Sequence, residues 1–552
     1  MMFYLTPRSK PPGIHPNQPL HVQKLRRETY TIDAQITDYQ DLTHNTHHRE
    51  KPKQMFQSIR QSLSKKRIAA NKQILSNVDV YKGNILHPNT GVKSRSTIHR
   101  AVNAVAQQAP IAWMYNRKSD SQMTYIITVF KNLGYKIHHN TKEPTRWDIM
   151  WSRPYPFGIL KKLLPHQRVN HFPFSDKIFS KAKLATSNVY HIPKTFEIPS
   201  QVSDLLNYTK QHPEMFWVQK LKSHRGISIK KASELDLNNS KTFIQLYVDK
   251  PFLVDGRRFS LAIYVMTSSI NPLRLYIYND WVLRFCKQRY FPFDPNVTEK
   301  YIADGNFEDG WHIEPLKKYL LNEDISRKEA MLLYLQEQGI DISKPVKEMH
   351  DTIIQAFVKS ESRIVKGSAK HGTVSNFFEL SRFDFILDNN LDVYLMEANL
   401  SPMLYNAAHK VQAPLYKKLV YDAASITGLT SPSYVRKQIL KVREMESGSP
   451  DVHVYSDICA TSHCNGTCKR ELCQFCKSCL SSHAEALLKG AYNEHLNRRG
   501  FRRIFPRTFQ SSKEAANWKF KDDKSFIKLN HLNQWMTLWY RGKCIIDVTW
   551  CI

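Results

Sequence analysis

The stretch "RFDFILDNNLDVYLMEANLSP", Arg382 to Pro402, constrains the fold of this chain more than any other. It reads as a strand, a turn at Asn389–Asn390 and a second strand. Its carboxylates sit inside the apolar runs: Asp384 within Phe-Asp-Phe-Ile-Leu, and Glu397 after Tyr-Leu-Met. A buried carboxylate is costly unless it is paired or bound to a cation. Glu397 and Asn399 are two residues apart, so in a strand they project from one face. The turn folds the Asp384 strand back beside them. Three oxygen ligands then converge, which suits a hard cation. Mg2+ takes one or two carboxylates and leaves phosphates and water to complete its shell, so the implied partner is a nucleotide. The competing reading is an edge hairpin whose acids face water, and spacing alone favours neither.

The segments upstream are strand-dense. "IAWMYN" opens the ordered region, "SQMTYIITVFKNLGYKIHHN" reads as a helix ending at Gly134 and then a short strand, and "RWDIMWS" reads as another strand. "FWVQKL", "ISIKK", "TFIQLYV", "RFSLAIYVMT" and "LRLYIYN" follow as strands, and Val346–Ile364 carries apolar residues at helical spacing. "FWVQKLKSHRGISIKK" fits a hairpin over phosphates, with Lys220 at a strand end and Lys222, His224 and Arg225 in the loop. A lone Lys after a strand and a single Gly226 are common, so this signal is weak by itself.

The 552 residues bring 80 Lys and Arg against 49 Asp and Glu, a net charge of +31, which favours acidic partners. Composition is 41% hydrophobic and 11% aromatic, enough for a sizeable core. No apolar run reaches the ~20 residues of a membrane helix, and the start lacks a signal-peptide core. Residues 1–110, rich in His, Asn, Gln, Lys and Pro, read as a disordered basic arm. No recognisable nucleic-acid module is present, so nucleic acid is the least favoured partner.

With these residues in view, the chain resembles the tubulin–tyrosine ligase-like family, over roughly Trp147 to Leu429. The motifs are "DIMWS", "RVNHFPFSDKIFSKAKL", "FWVQK", "IQLYVDKPFLVDGRRFSLAIYV", "WVLRF" and "FELSRFDFILDNNLDVYLMEANLSP". The resemblance implies an α/β ATP-grasp fold with a preceding small α/β domain and an added Cys-rich C-terminal module. The expected limits are an arm over 1–110, the N-terminal domain over 111–205, the grasp domains over 206–430, and a linker plus Cys-rich module over 431–552. It implies Asp384, Glu397 and Asn399 as magnesium ligands, and Lys220 and Lys181 as nucleotide-contacting lysines, with Arg225 as a further loop cation. Gln245, Leu246, Tyr247 and Val248 match the adenine-facing hinge. Arg258 matches the first cation of a Lys-Phe-Asp-x-Arg motif, and Arg284 an Arg facing the reacting tail and phosphate. Glu397, Arg284 and Arg258 are the expected catalytic residues. The implied chemistry is ATP-dependent ligation of free glutamate to side chains of acidic tubulin tails through an acylphosphate.

The motif departs from the family at Arg258-Phe259-Ser260-Leu261-Ala262, where Ser260 loses a carboxylate and Ala262 loses a cation. The loop after Lys220 is short, and the family's His-Leu-Thr-Asn stretch is unrecognisable. The alternatives are therefore a nucleotide-binding pseudoenzyme that docks on microtubules, or a ligase for tyrosine or glycine. The expected location is the cytoplasm and cytoskeleton, with cilium or axoneme as a site and a secretory compartment as the alternative.

Six of nine Cys fall between Cys459 and Cys479. In a reducing cytosol such packing suggests structural Zn2+, with Cys464, Cys468, Cys473, Cys476, Cys479 and His483 as ligands. The rival is a disulfide-rich extension, and four Asn-x-Ser/Thr triplets exist, at Asn207, Asn238, Asn296 and Asn465. Such triplets are frequent by chance. "RRGFRR" reads as a contact for an acidic surface or as a solvated face. Trp535, Trp539 and Trp550 are expected to pack the C-terminal module.

Overall fold

A parallel sheet opens the described chain, because "IAWMY" and "IMWS" are buried on both faces and need cover on both sides. The structure is a computed structural model, and it describes residues 109–116, 120–139, 142–160, 162–222, 226–303, 307–321, 325–404, 410–430, 447–464 and 467–552. The basic arm, save its last two residues, together with His224, Arg225 and Asn465, lies outside the described residues. Strands β1 (Ile111–Tyr115), β2 (Lys136–His139), β3 (Ile149–Ser152) and β4 (Arg168–Val169) form this sheet in the order β2-β1-β3-β4. Helix α1 (Thr124–Asn132) joins β1 to β2.

A second, antiparallel sheet follows. It contains β5 (Thr195–Glu197), β6 (Trp217–Leu221), β7 (Ile227–Lys230) and β8 (Thr242–Leu246) in the order β5-β8-β6-β7. Helix α2 (Val202–Gln211) packs on it through Leu205, against Phe196, Trp217 and Ile244.

The largest sheet carries the site. The hairpin "LVDGRR" turns at Asp255 and Gly256, both with positive φ, between β9 (Leu253–Val254) and β10 (Arg257–Ile270). Then come β11 (Leu273–Phe285), β12 (Glu308–Asp309), β13 (Glu379–Leu387) and β14 (Val393–Leu400). Their order is β12-β11-β10-β13-β14.

Period-two alternation divides this sheet between two cores. Leu261, Ile263 and Val265 of β10 join one core with Phe383 and Phe385 of β13. Helix α3 (Ser343–Val358) covers that face with Met349, Ile353 and Phe357. Ala262, Tyr264 and Met266 join the other core, covered by Leu419, Val420 and Ala423 of helix α4 (Ala413–Ile426). The helical pattern expected over Val346–Ile364 is broken after Val358, and a second helix, Glu361–Ser368, starts beyond Lys359 and Ser360.

The C-terminal segment adds to the same sheet. Helix α5 (Ser482–Asn497) leads to β15 (Phe501–Phe505), which pairs antiparallel with β11. Glu494 of α5 meets Arg274 of β11 through two hydrogen bonds of 2.7 Å. Trp535 and Trp539 of helix α6 (His531–Ile546) and Trp550 pack with Val452, Phe475 and Leu488 in a core of their own, as expected. Three of the four "RRGFRR" arginines, Arg498, Arg499 and Arg503, hydrogen-bond within the fold. Buried Arg503 donates to the carbonyls of Pro506, Arg507 and Trp550 and lies 4.0 Å from the Tyr540 ring centroid. Arg499 donates to Ser425 Oγ. Within this motif Arg502 is exposed.

Candidate functional site

The two acidic strands pair as β13 and β14, and Asp384 stands directly opposite Glu397. A regular ladder would have given Glu397 the same face as Val393 and Leu395, which are in the core. A β-bulge between the Asp384 and Phe385 pairs prevents this: the register steps from Glu397 to Leu395, leaving Met396 extra. The bulge turns Glu397 and Asn399 out of the core and onto the Asp384 face. Asn399 Nδ2 donates to Asp384 Oδ2 at 3.1 Å. The three oxygen-bearing residues expected to converge do so.

Asp384 and Glu397 line a cavity of about 800 Å³ between the second sheet and the large one, with Asn399 behind Asp384. Its charged lining is Lys181, Lys220, Arg258, Arg284 and Arg382 against Asp384 and Glu397. Five cations facing two carboxylates make a site for a polyanion.

Each cation is held by a separate element. Lys181 starts the short helix Lys181–Ala185 and reaches Glu397 Oε2 at 3.1 Å. Lys220, near the end of β6, donates to Gln245 Oε1 of β8 at 2.6 Å, and Gln245 Nε2 donates to Thr195 Oγ1 at 2.9 Å. Burial pulls the Lys220 ammonium down to about 8; Glu397 opposes this, while Lys181 and Arg258 reinforce it. Buried Arg258 lies with its guanidinium 5.1 Å from the Tyr247 ring centroid, and its Nη1 has no hydrogen-bond partner. Gln245, Leu246, Tyr247 and Val248 line the same cavity.

Asp384 is the electrostatic centre. Arg284 Nη2 lies 2.6 Å from Oδ2, and Arg382 Nε and Nη2 each donate at 2.8 Å to the two carboxylate oxygens. Burial pushes its carboxyl up, but the Arg284 and Arg382 guanidiniums outweigh burial and hold it below the usual range. Arg382 was not among the residues singled out from the sequence. Its signal was its place two residues before Asp384, on the same strand face.

The departures from the motif lie in the same wall. Ser260 and Ala262 line the cavity, and Ala262 pairs directly with Asp384 across β10 and β13. Ser260 Oγ is buried without a partner. Lys222 turns to Glu197, at 3.1 Å, and is not part of the lining. Gly226 lines the cavity at φ +114, and a Cβ there would come within 2.5 Å of Leu221 Cδ1. A buried relay holds three of the quoted motifs together. His171 Nδ1 is 3.1 Å from Glu379 Oε1, and its Nε2 is 2.8 Å from both Ser152 O and Ser401 Oγ.

The zinc expectation is corrected. Cys464 pairs with Cys473, Cys459 with Cys476, and Cys468 with Cys479, all as disulfides. A half-cystine has no thiolate to give a metal, so these Cys are not Zn2+ ligands, and His483 stands exposed without its expected co-ligands. Among the described residues no group of three or more His, Cys, Asp or Glu is placed to hold a metal ion. The carboxylates in the cavity lining are those of Asp384 and Glu397, and the Asn399 amide stands beside Asp384.

The model of the tubulin-tyrosine ligase family matches residues 159–433. The probable tubulin polyglutamylase ttll-15 of Caenorhabditis elegans is 33% identical over 458 residues, covering 80% of this chain and 86% of that protein. Tubulin polyglutamylase TTLL6 of Mus musculus is 25% identical, over 51% of this chain and 37% of its own length. Tubulin polyglutamylase TTLL5 of Mus musculus is 28% identical, over 49% of this chain and 22% of its own. On this similarity and the α/β ATP-grasp-type architecture, the chain belongs to the tubulin–tyrosine ligase family.

Proposed function

We propose that the chain is an ATP-dependent ligase that adds glutamate to side-chain carboxylates of an acidic protein tail. The observation that carries this reading is the cavity wall, where five cations surround the paired Asp384 and Glu397. In this reading the γ-phosphoryl of ATP passes to a tail carboxylate, giving an acylphosphate and ADP. The amine of free glutamate then displaces phosphate to form an amide. Lys220, Lys181 and Arg258 take phosphate oxygens, and Gln245 to Val248 face the adenine. Arg284 meets the reacting carboxylate. Asp384, Glu397 and Asn399 supply the oxygens for Mg2+, which neutralises phosphate charge when bound. An incoming polyanion offers Arg284 and Arg382 a second partner and frees Asp384 oxygens for the cation. The relatives are named as tubulin polyglutamylases, so tubulin is the first acceptor to test.

A second reading is a nucleotide-binding protein without turnover. It is favoured by Asp384, whose two oxygens are already occupied by guanidiniums, and by the altered Ser260 and Ala262. Incorporation of labelled glutamate into microtubules, with ATP and Mg2+, decides between them when the protein is compared with its Glu397→Gln variant. Incorporation lost in the variant supports the ligase. Mg-ATP binding without incorporation above the variant supports the second reading, once tyrosine and glycine have been tried.

A further inference from the structure

The Cys-rich segment is built from half-cystines rather than apolar side chains. Between Ser456 and Ser482 the buried described residues are Cys464, Cys473, Phe475 and Cys476. Three disulfides cross-link this stretch with Cα–Cα distances of 5.3–5.5 Å, and a fourth joins Cys544 at the end of α6 to Cys551. Eight of the nine Cys are thus consumed. The ninth, Cys286, is buried in the large sheet's neighbourhood, and burial raises its thiol to about 11, so it neither exchanges nor ionises readily. A chain with every accessible Cys paired and its one thiol shielded is suited to an oxidising environment. In a glutathione-buffered cytosol the exposed Cys468 would be open to exchange with its bond to Cys479, and the segment would lose its staples.

A second observation is independent of the first. The three described Asn-x-Ser/Thr asparagines, Asn207 on α2 and Asn238 and Asn296 in turns, are all exposed. None of them lines the cavity.

We infer that this protein matures in an oxidising secretory compartment, with four disulfides formed and Asn207, Asn238 and Asn296 carrying N-linked glycans. Each disulfide joins two sulfurs, releases two protons and passes two electrons to the disulfide of a thiol oxidoreductase. Each glycan bond replaces one N–H of the Asn amide with a bond to a sugar anomeric carbon. The lipid diphosphate of a lipid-linked oligosaccharide leaves, and the displaced proton goes to it. The inference concerns folding and modification and does not depend on which reaction the cavity performs.

The test uses the natural full chain, isolated from its own tissue after free thiols have been blocked with N-ethylmaleimide. It is then unfolded, treated with a second alkylating label without reduction, digested with and without peptide N-glycosidase, and mapped by mass spectrometry. The expected result is one alkylated Cys, Cys286, four Cys–Cys-linked peptide pairs, and Asn207, Asn238 and Asn296 converted to Asp by the glycosidase. N-ethylmaleimide on the Cys459–Cys479 sulfurs together with unmodified asparagines would overturn the inference. Labelled-glutamate incorporation on the same material is a separate readout, so failure of the ligase reading is not mistaken for failure of this one.

Discussion

Lys220 should oppose folding until an anion binds, and removing it should therefore stabilise the empty protein. Its ammonium is held at about 8 against an ordinary value of 10.5, chiefly by burial. At ~1.4 kcal/mol per pKa unit, the folded chain at pH 7 carries a cost of up to ~3 kcal/mol for keeping that charge. Lys220→Met removes the cost but also the bond to Gln245, worth ~1 kcal/mol. The net expectation is an apoprotein stabilised by about 2 kcal/mol. Its nucleotide response should disappear, since wild type at a hundredfold excess of Mg-ATP over Kd gains ~2.7 kcal/mol and the variant gains almost none. The sign with pH follows. A lysine with a depressed folded value costs stability below about 8, and wild type recovers that stability as pH rises from about 8 to 10.5. The advantage of the variant should therefore shrink over that window. Urea unfolding of both proteins at pH 7 and pH 10, with and without Mg-ATP, is the assay. A less stable Lys220→Met apoprotein, or one that still responds to Mg-ATP, would refute the reasoning.

Two further expectations rest on single contacts. Arg382 stands where its guanidinium can serve in place of the cation that Ala262 lacks, because Ala262 pairs directly with Asp384. Arg382→Ala should cut ligation by ~100-fold, and adding Ala262→Arg should restore part of it; an unchanged rate in the single variant would remove Arg382 from the site. His495 stacks on Trp550 with 3.6 Å between centroids, and burial pulls its imidazole down to about 3, with Arg498, Arg503 and Lys543 adding to the shift. Its stabilising contribution is complete above pH 6.5 and lost as pH falls toward 3, by about 2 kcal/mol at pH 5. Tryptophan fluorescence during acid unfolding should show a flatter profile for His495→Phe than for wild type.

Much of the site was legible along the chain. Strand periodicity and the two-Asn turn placed Asp384 beside Glu397 and Asn399, because alternation and turn chemistry are local. Lys220, Gln245 and Arg284 followed from a resemblance in order and spacing. The role of Arg382 was not legible, since which charges neutralise a strand's carboxylate depends on the arginines of neighbouring strands as well as its own. The bulge at Met396 was equally hidden. It depends on the packing of Leu395 and Val393 into one core while Glu397 must leave it.

By itself the sequence determined strands β10, β11, β13 and β14 of the large sheet, the acidic hairpin and the surplus of positive charge, since these follow from side-chain type and nearest-neighbour spacing. Tertiary structure alone decided which sulfurs pair, because six Cys allow fifteen connectivities and only folded distances select among them. It also decided that β15 joins β11 and that Arg503 turns inward to carbonyls, contacts made between residues far apart in the chain. And it decided that the cations of five different elements meet at Asp384 and Glu397. A charge's cost and use depend on what surrounds it, and those surroundings exist only once the sheets and helices have packed.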